Sequence, residues 1–218
     1  MLPSSSLHYR TETYLCKERF LGLREQLLAC TRDAGDSILE IGPGPGLLTA
    51  LLSRLGIKVT TLDTDERLLP DIVGGVTAMP CASKSFDTVC AFQVLEHLPW
   101  DSLVPALSEM RRTARKKVIF SVPDHAGLRT AVWGIRIGLF CRWFQREWSR
   151  RSFPGISNPA EHHWEIGCND VTTASVLKAI EQAGLSCTAN SIPCAYFHFF
   201  ICEILPESDT NHAKEGNL

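Results

Sequence analysis

The sequence specifies an α/β chain built on a doubly wound, seven-stranded, mostly parallel sheet with an antiparallel last strand and a helical insertion after strand 5. Three observations carry that expectation. From residue 36 onward, short apolar runs alternate with helical stretches, the signature of βαβ units. A glycine-rich loop joins the first apolar run to the first of those helices. Near the end, one more helix is followed by two runs joined closely enough to pair antiparallel.

Taken in order, residues 10–30 carry Tyr14, Leu15, Phe20, Leu21, Leu23, Leu27 and Leu28 at mostly helical spacing, so 1–35 forms an N-terminal helical segment. Gly35 and Asp36 end it. Strands are expected near 37–41, 57–62, 72–77, 87–92 and 117–122, with helices near 46–55, 65–69 and 101–113. A helix from Asn169 or Asp170 to Ala183 has an N-cap acid and, at Gly184, a C-terminal stop. Strands near 185–192 and 196–204 close the domain of 36–205, and the polar residues 206–218 read as a disordered tail.

Composition narrows the function. With 22 basic and 24 acidic side chains, 44% hydrophobic residues and a mean hydropathy near zero, the chain is neither disordered nor an integral membrane protein. No run reaches the roughly 20 apolar residues of a spanning helix, and the N-terminus lacks a signal-peptide layout. The expected location is the cytoplasm. The nine cysteines include no Cys-x-x-Cys pair, which points to free thiols; no metal site is expected, the adjacent histidines 162 and 163 lacking further ligands at zinc spacing.

The net charge of −2 conceals an asymmetry. Residues 126–152 hold six arginines against one acid, Glu147, a net +5 that leaves −7 on the rest; Trp133, Trp143 and Trp148 fall in the same stretch. This basic, aromatic insertion within 126–160 reads first as a helical cap over the substrate mouth. A second reading is peripheral contact of 126–151 with an anionic membrane at its inner face, or recognition of a lipid-like acceptor. Nucleic acid is disfavoured by the acidic remainder. On a helical wheel the arginines spread over a wide arc that also contains Ile135 and Leu139, so no clean amphipathic helix emerges.

The chemistry concentrates in ILEIGPGPGLLT, residues 38–49, where a strand ends at Glu40 and Gly42, Gly44 and Gly46 lead into a helix. Glycines at alternate positions let backbone approach a ligand closely. Leu47 stands where a dinucleotide fingerprint needs its third glycine, which disfavours NAD and FAD. Asp63 ends the next strand, placed to accept hydrogen bonds from two ribose hydroxyls.

LEIGPGPG, TLDTD, FDTVCAFQVLEHLP and VIFSVP, in this order over residues 36–123, resemble the successive motifs of the class I S-adenosylmethionine (SAM) dependent methyltransferases, and EHHWEIG with FHFFICE is similar to a bacterial, small-molecule subgroup. The resemblance implies a Rossmann-like fold, SAM as cofactor and S-adenosylhomocysteine as product. It implies that Glu40 and Gln93 face the methionine moiety, that Gly42 to Gly46 line the cofactor, that Asp63 holds the ribose, and that Thr64 and Val76 lie beside the adenosine. Gly75 replaces the acid that the family usually directs at adenine, and Asp71 is too early to substitute for it. Glu96 and His97 read as a turn that caps and orients the next helix.

Glu161-His162-His163-Trp164-Glu165 offers imidazole chemistry beside an apolar wall, which makes His162 and His163 the candidate catalytic residues. If the stretch is extended, only one of them faces the pocket. His125, Trp164 and Arg129 are candidates for lining the substrate pocket. The expected activity is methyl transfer to an O, N or C nucleophile of a small or lipid-like acceptor. The alternatives are a protein or RNA methyltransferase, or a SAM-binding regulatory or adaptor protein without catalysis.

Overall fold

A computed structural model describes residues 16–125, 128–137, 140–149, 155–156, 158–194 and 197–204. Its main sheet has seven strands: β1 (Ser37–Ile41), β2 (Lys58–Asp63), β3 (Ile72–Val73), β4 (Phe86–Phe92), β5 (Ala114–Pro123), β8 (Leu185–Cys194) and β9 (Phe197–Ile204). Their spatial order is β3-β2-β1-β4-β5-β9-β8. Strands β1 to β5 pair in parallel, and β9 runs antiparallel to both β5 and β8.

The sheet is buried on both faces, and the period-2 alternation of side chains divides each strand between two cores. Leu39, Ile41, Val89, Ala91, Val118 and Phe120 pack with α3 (Leu103–Thr113) and α4 (Thr173–Gln182). The intervening Ile38, Cys90, Phe92 and Ile119 pack with α1 (Lys17–Thr31) and α2 (Leu47–Arg54). The same parity explains why these strands read as continuous apolar runs. Cys30, Cys90 and Cys202 are buried reduced thiols, and all seven cysteines described are free.

The structure corrects several expectations. The insertion is not helical: β6 (Leu128–Ile137) and β7 (Phe140–Ser149) form a separate two-stranded antiparallel sheet, with Leu128 opposite Ser149 and Ile137 opposite Phe140. Third-strand pairing stops after Val73, where Gly74 and Gly75 follow. The short second helix is a 3-10 turn, Glu66–Leu68, capped by the Asp65 carboxylate on the Arg67 N–H. The last helix starts later than Asn169 or Asp170, because both residues adopt positive φ (47° and 63°) and turn the chain. Thr172 is the true N-cap, in a reciprocal capping box with Ser175. The first part of the 1–35 segment, the 206–218 tail and the ends of the insertion lie outside the described residues. Among those described, no helix is long and apolar enough to cross a membrane.

Candidate functional site

Strand order reverses between β1 and β4: the chain leaves β1 for β2 on one side, and β4 for β5 on the other. A crevice at the carboxyl ends of such a strand pair is where open α/β sheets take ligands. A cavity of about 520 Å³ lies there, bordered by the 42–45 loop, the ends of β1 and β4, one face of α1 and the 158–162 segment.

At β1, the Glu40 side chain is almost fully buried and accepts a hydrogen bond from the Thr49 hydroxyl of α2. Burial pushes its carboxyl up to about 7, partly offset by that hydrogen bond. Gly42 follows with φ +66°, its N–H bonded to Leu62 O at 2.8 Å, so the loop is pinned to β2. A β-carbon at Gly42 would lie 2.5 Å from Val94 Cγ2, a contact only glycine avoids. Across the crevice, Gln93 ends β4 with φ +57°, an unusual conformation for a residue with a side chain. Its N–H donates to Ser121 O at 2.9 Å and its amide to Ser121 Oγ at 3.3 Å, so β5 holds the strained turn in place.

Beyond Gln93 the cavity is bounded by two segments that clasp each other. The 3-10 turn Leu95–His97 and the Leu98 that follows it meet residues 161–164 through three hydrogen bonds: His163 N–H to Glu96 O (2.8 Å), His97 Nδ1 to Glu161 O (3.0 Å) and Trp164 Nε1 to Leu98 O (3.1 Å). A carbonyl only accepts, so His97 carries its proton on Nδ1. His162 Nδ1 lies 2.6 Å from Glu165 Oε1, and the two imidazoles of His97 and His162 meet edge to face at 4.9 Å. Glu165 is fully buried, with its other oxygen 3.2 Å from His125 Nε2. Glu96 is also fully buried, and neither of its carboxylate oxygens takes a hydrogen bond from any other residue. Burial raises the Glu96 carboxyl to about 8; the nearby Glu165 charge adds to this and Arg19 opposes it. Burial first, and the neighbouring His162 second, lower the His97 imidazole below its ordinary range.

The residues singled out from sequence fall into three groups. Glu40, Gly42, Gly44, Gln93 and His162 line the cavity. Gly46 caps α2 at φ +74°, while Asp63, Thr64 and Val76 are not part of the cavity lining: Asp63 accepts the Asp65 N–H at 2.9 Å, Thr64 is exposed and Val76 is buried. The third group serves other tasks. His163 is exposed and outside the lining, and His125 is held against Glu165. Trp164 is a core residue, 1% exposed, packed edge-on against Trp100 at 5.0 Å; it does not line the pocket. Arg129 sits on β6 opposite Trp148, and its side chain lies outside the described residues. The Asp71 carboxylate accepts from the Thr61 N–H and hydroxyl, so it is already engaged.

Sequence reasoning passed over α1, whose Arg19, Phe20 and Leu23 wall one side, and assigned only a capping role to Glu96 and His97. The signal available was the adjacency of an acid and a histidine directly after a site strand.

Residues 39–122 match the family model of a methyltransferase domain. Among curated relatives, a ribosomal RNA small subunit methyltransferase A of Novosphingobium aromaticivorans is 48% identical over 46 residues, covering 21% of this chain and 17% of that protein. A ubiquinone biosynthesis O-methyltransferase of Nitrosococcus oceani is 31% identical over 105 residues, covering 40% of this chain and 44% of that protein. The chain therefore spans less than half the length of these relatives. Among solved structures, the 1,6-didemethyltoxoflavin-N1-methyltransferase of Burkholderia thailandensis, with bound 1,6-didemethyltoxoflavin and S-adenosylhomocysteine, superposes with a TM-score of 0.60 at 14% identity, covering 93% of this chain and 85% of that one. At that identity the likeness is one of fold.

Proposed function

From the methyltransferase-domain match over residues 39–122 and the geometry of the β1/β4 crevice, we propose that this chain is a class I SAM-dependent methyltransferase that binds SAM there and transfers the sulfonium methyl to a small or lipid-like acceptor. The observation that carries the reading is the joining, in one cavity, of a glycine loop and buried acid at one end with two imidazoles and a second acid at the other. A sulfonium methyl is already electrophilic, so the protein's task is to align a nucleophile behind the methyl carbon and exclude water. The acceptor atom forms a bond to that carbon as the carbon–sulfur bond breaks, and S-adenosylhomocysteine departs. Glu40 faces the amino-acid moiety, Gly42 and Gly44 its backbone, and Asp63 the ribose. His162, its Nδ1 held by Glu165, presents its other nitrogen to the acceptor.

The acidic residues of the cavity lining are Glu40, Glu96 and Glu161 against one arginine, Arg19, and a bound cation favours the ionised forms of the two whose carboxyls burial raises. That balance suits a cationic cofactor and a compact acceptor, and opposes a phosphate backbone. Calorimetry with SAM and with NAD tests the assignment: SAM alone should bind, and binding of NAD alone would overturn it. Asp63→Ala should weaken SAM binding by about 1–3 kcal/mol, the worth of ribose hydrogen bonds to a charged group.

The raised Glu40 carboxyl gives this binding a pH dependence. Below about 7 the carboxyl is protonated, and an ammonium favours its ionised form. Affinity for SAM should therefore rise roughly five- to tenfold between about pH 6 and about pH 7.5, and Glu40→Gln should flatten the profile. A wild-type profile as flat as the variant's would remove Glu40 from the contact. In the unliganded chain the sign is opposite: stability that Glu40 contributes below its unfolded value of 4.5 is lost as pH rises through about 7.

The six arginines and three tryptophans of 126–152 support contact with an anionic headgroup, and so an acceptor presented at a membrane face. The chain should float with vesicles containing anionic lipid and not with neutral ones; failure to float with either would leave a soluble acceptor.

A further inference from the structure

From the acceptor end of the cavity, we infer a site for one divalent transition-metal ion, bound by Glu96, His97 and His162, with open coordination positions that take an oxygen of the methyl acceptor. The ion requires only the geometry; the acceptor's place on it rests on the methyltransferase reading above. A carboxylate oxygen of Glu96 and one nitrogen from each imidazole lie within 4.8 Å of one another. A metal holding such donors at roughly 2.0–2.2 Å needs them about 3 Å apart, an adjustment within reach of small side-chain rotations.

Three independent features make this more than a cluster. The Glu96 carboxylate is fully buried, borders the cavity and takes no hydrogen bond from any other residue on either oxygen, a costly arrangement that a cation would relieve. Both histidines are held in the manner of metal ligands: Nδ1 of His97 faces the Glu161 carbonyl at 3.0 Å, and Nδ1 of His162 faces the Glu165 carboxylate at 2.6 Å. Each ring is thereby oriented with its proton on Nδ1 and its Nε2 lone pair left for an ion, the outer-shell pattern that ligating histidines show. The field also agrees. Glu161 and the fully buried Glu165 stand behind the ligands, and Arg19 is the one cationic residue in the lining.

Two imidazoles and one carboxylate favour a transition ion over Mg²⁺, which prefers oxygen donors. Three protein ligands leave positions open, as catalytic sites require. An acceptor hydroxyl bound there would ionise more readily and be held in one place beside the sulfonium methyl. His162 would then serve as a ligand, and the ion would do the work of a base. The expectation of no metal, drawn from the cysteine spacing and the adjacent histidines 162 and 163, lacked Glu96 and His97, which the fold brings from more than 60 residues away in sequence.

The test uses the full chain, stripped with EDTA and titrated with Co²⁺ as a spectroscopic probe. One equivalent should bind saturably, giving a visible ligand-field band without the near-ultraviolet charge-transfer band of a thiolate site. His97→Ala and His162→Ala should each abolish that equivalent, and Glu165→Gln should weaken it by about 10- to 100-fold. Binding of S-adenosylhomocysteine, measured on every variant, reports that each is folded. Absence of saturable binding, a thiolate band, or equal binding by folded ligand variants would overturn the site. Cofactor binding without metal binding would sink this inference alone; metal binding without cofactor binding would sink the methyltransferase reading and leave the metal site standing.

Discussion

Replacing Trp164 with alanine is expected to lower the free energy of unfolding by about 3–5 kcal/mol, the range for truncating a large buried aromatic. Its side chain is 1% exposed, stands edge-on to Trp100 at 5.0 Å, and donates its indole N–H to Leu98 O at 3.1 Å. Truncation removes the packed volume and leaves that carbonyl without its donor, and the two costs add. Against a typical total of about 5–15 kcal/mol, the variant should be marginal. The damage should also be directional. Trp164 is one rung of the clasp between residues 95–98 and 161–164, so its loss should loosen His97 and His162 before it disturbs the glycine loop on β1. Urea unfolding gives the first quantity; Co²⁺ binding set against S-adenosylhomocysteine binding below the unfolding transition gives the second. Trp164→Phe retains most of the volume and should cost less than half as much. A loss under about 1 kcal/mol for the alanine variant would show that the clasp does not depend on the indole.

The glycine-loop end of the cavity was legible in sequence because its determinants are local. Strand β1 and its glycine turn occupy a few consecutive residues, and the physics that demands them is backbone geometry. The other end, where Glu96 meets His162, is assembled by tertiary contacts. Glu96 and His162 meet only because β4 and the segment before α4 end at the same edge of the sheet, and the adjacency of Glu96 to His97 could not reveal that a distant histidine joins them. The role of Trp164 reversed for the same reason: an indole beside two histidines looks like a pocket wall, yet Trp164 is buried in the core and it is His162, two residues earlier, that faces the cavity.

The insertion was misread through a different cause. Its β-branched and aromatic residues, and the two residues Gly138-Leu139 between apolar runs, are hairpin signals. The position after strand 5 suggested a helical cap instead, and the failure of the helical wheel was the warning.

Gly42→Ala should all but remove cofactor binding, with affinity for S-adenosylhomocysteine falling by at least tenfold and stability by about 1–3 kcal/mol. Two separable penalties produce this. One is conformational: φ at +66° disfavours any residue with a β-carbon by about 1–2 kcal/mol. The other is steric: the new methyl would fall 2.5 Å from Val94 Cγ2. Relief can come only from movement of the 42–45 loop, which borders the cavity, or of Val94, which leads directly into Glu96 and His97. Strain at one end of the cavity is thereby passed to the other. The double variant Gly42→Ala/Val94→Ala divides the penalties, since removing Cγ2 abolishes the clash and leaves the dihedral cost. Allowing for the cost of Val94→Ala alone, the double variant should recover part of the lost affinity, and no more than part. Full recovery would mean that the left-handed turn is not required. Absence of any recovery would place the whole effect in the backbone and leave the Val94 contact without a role in coupling the two ends of the site.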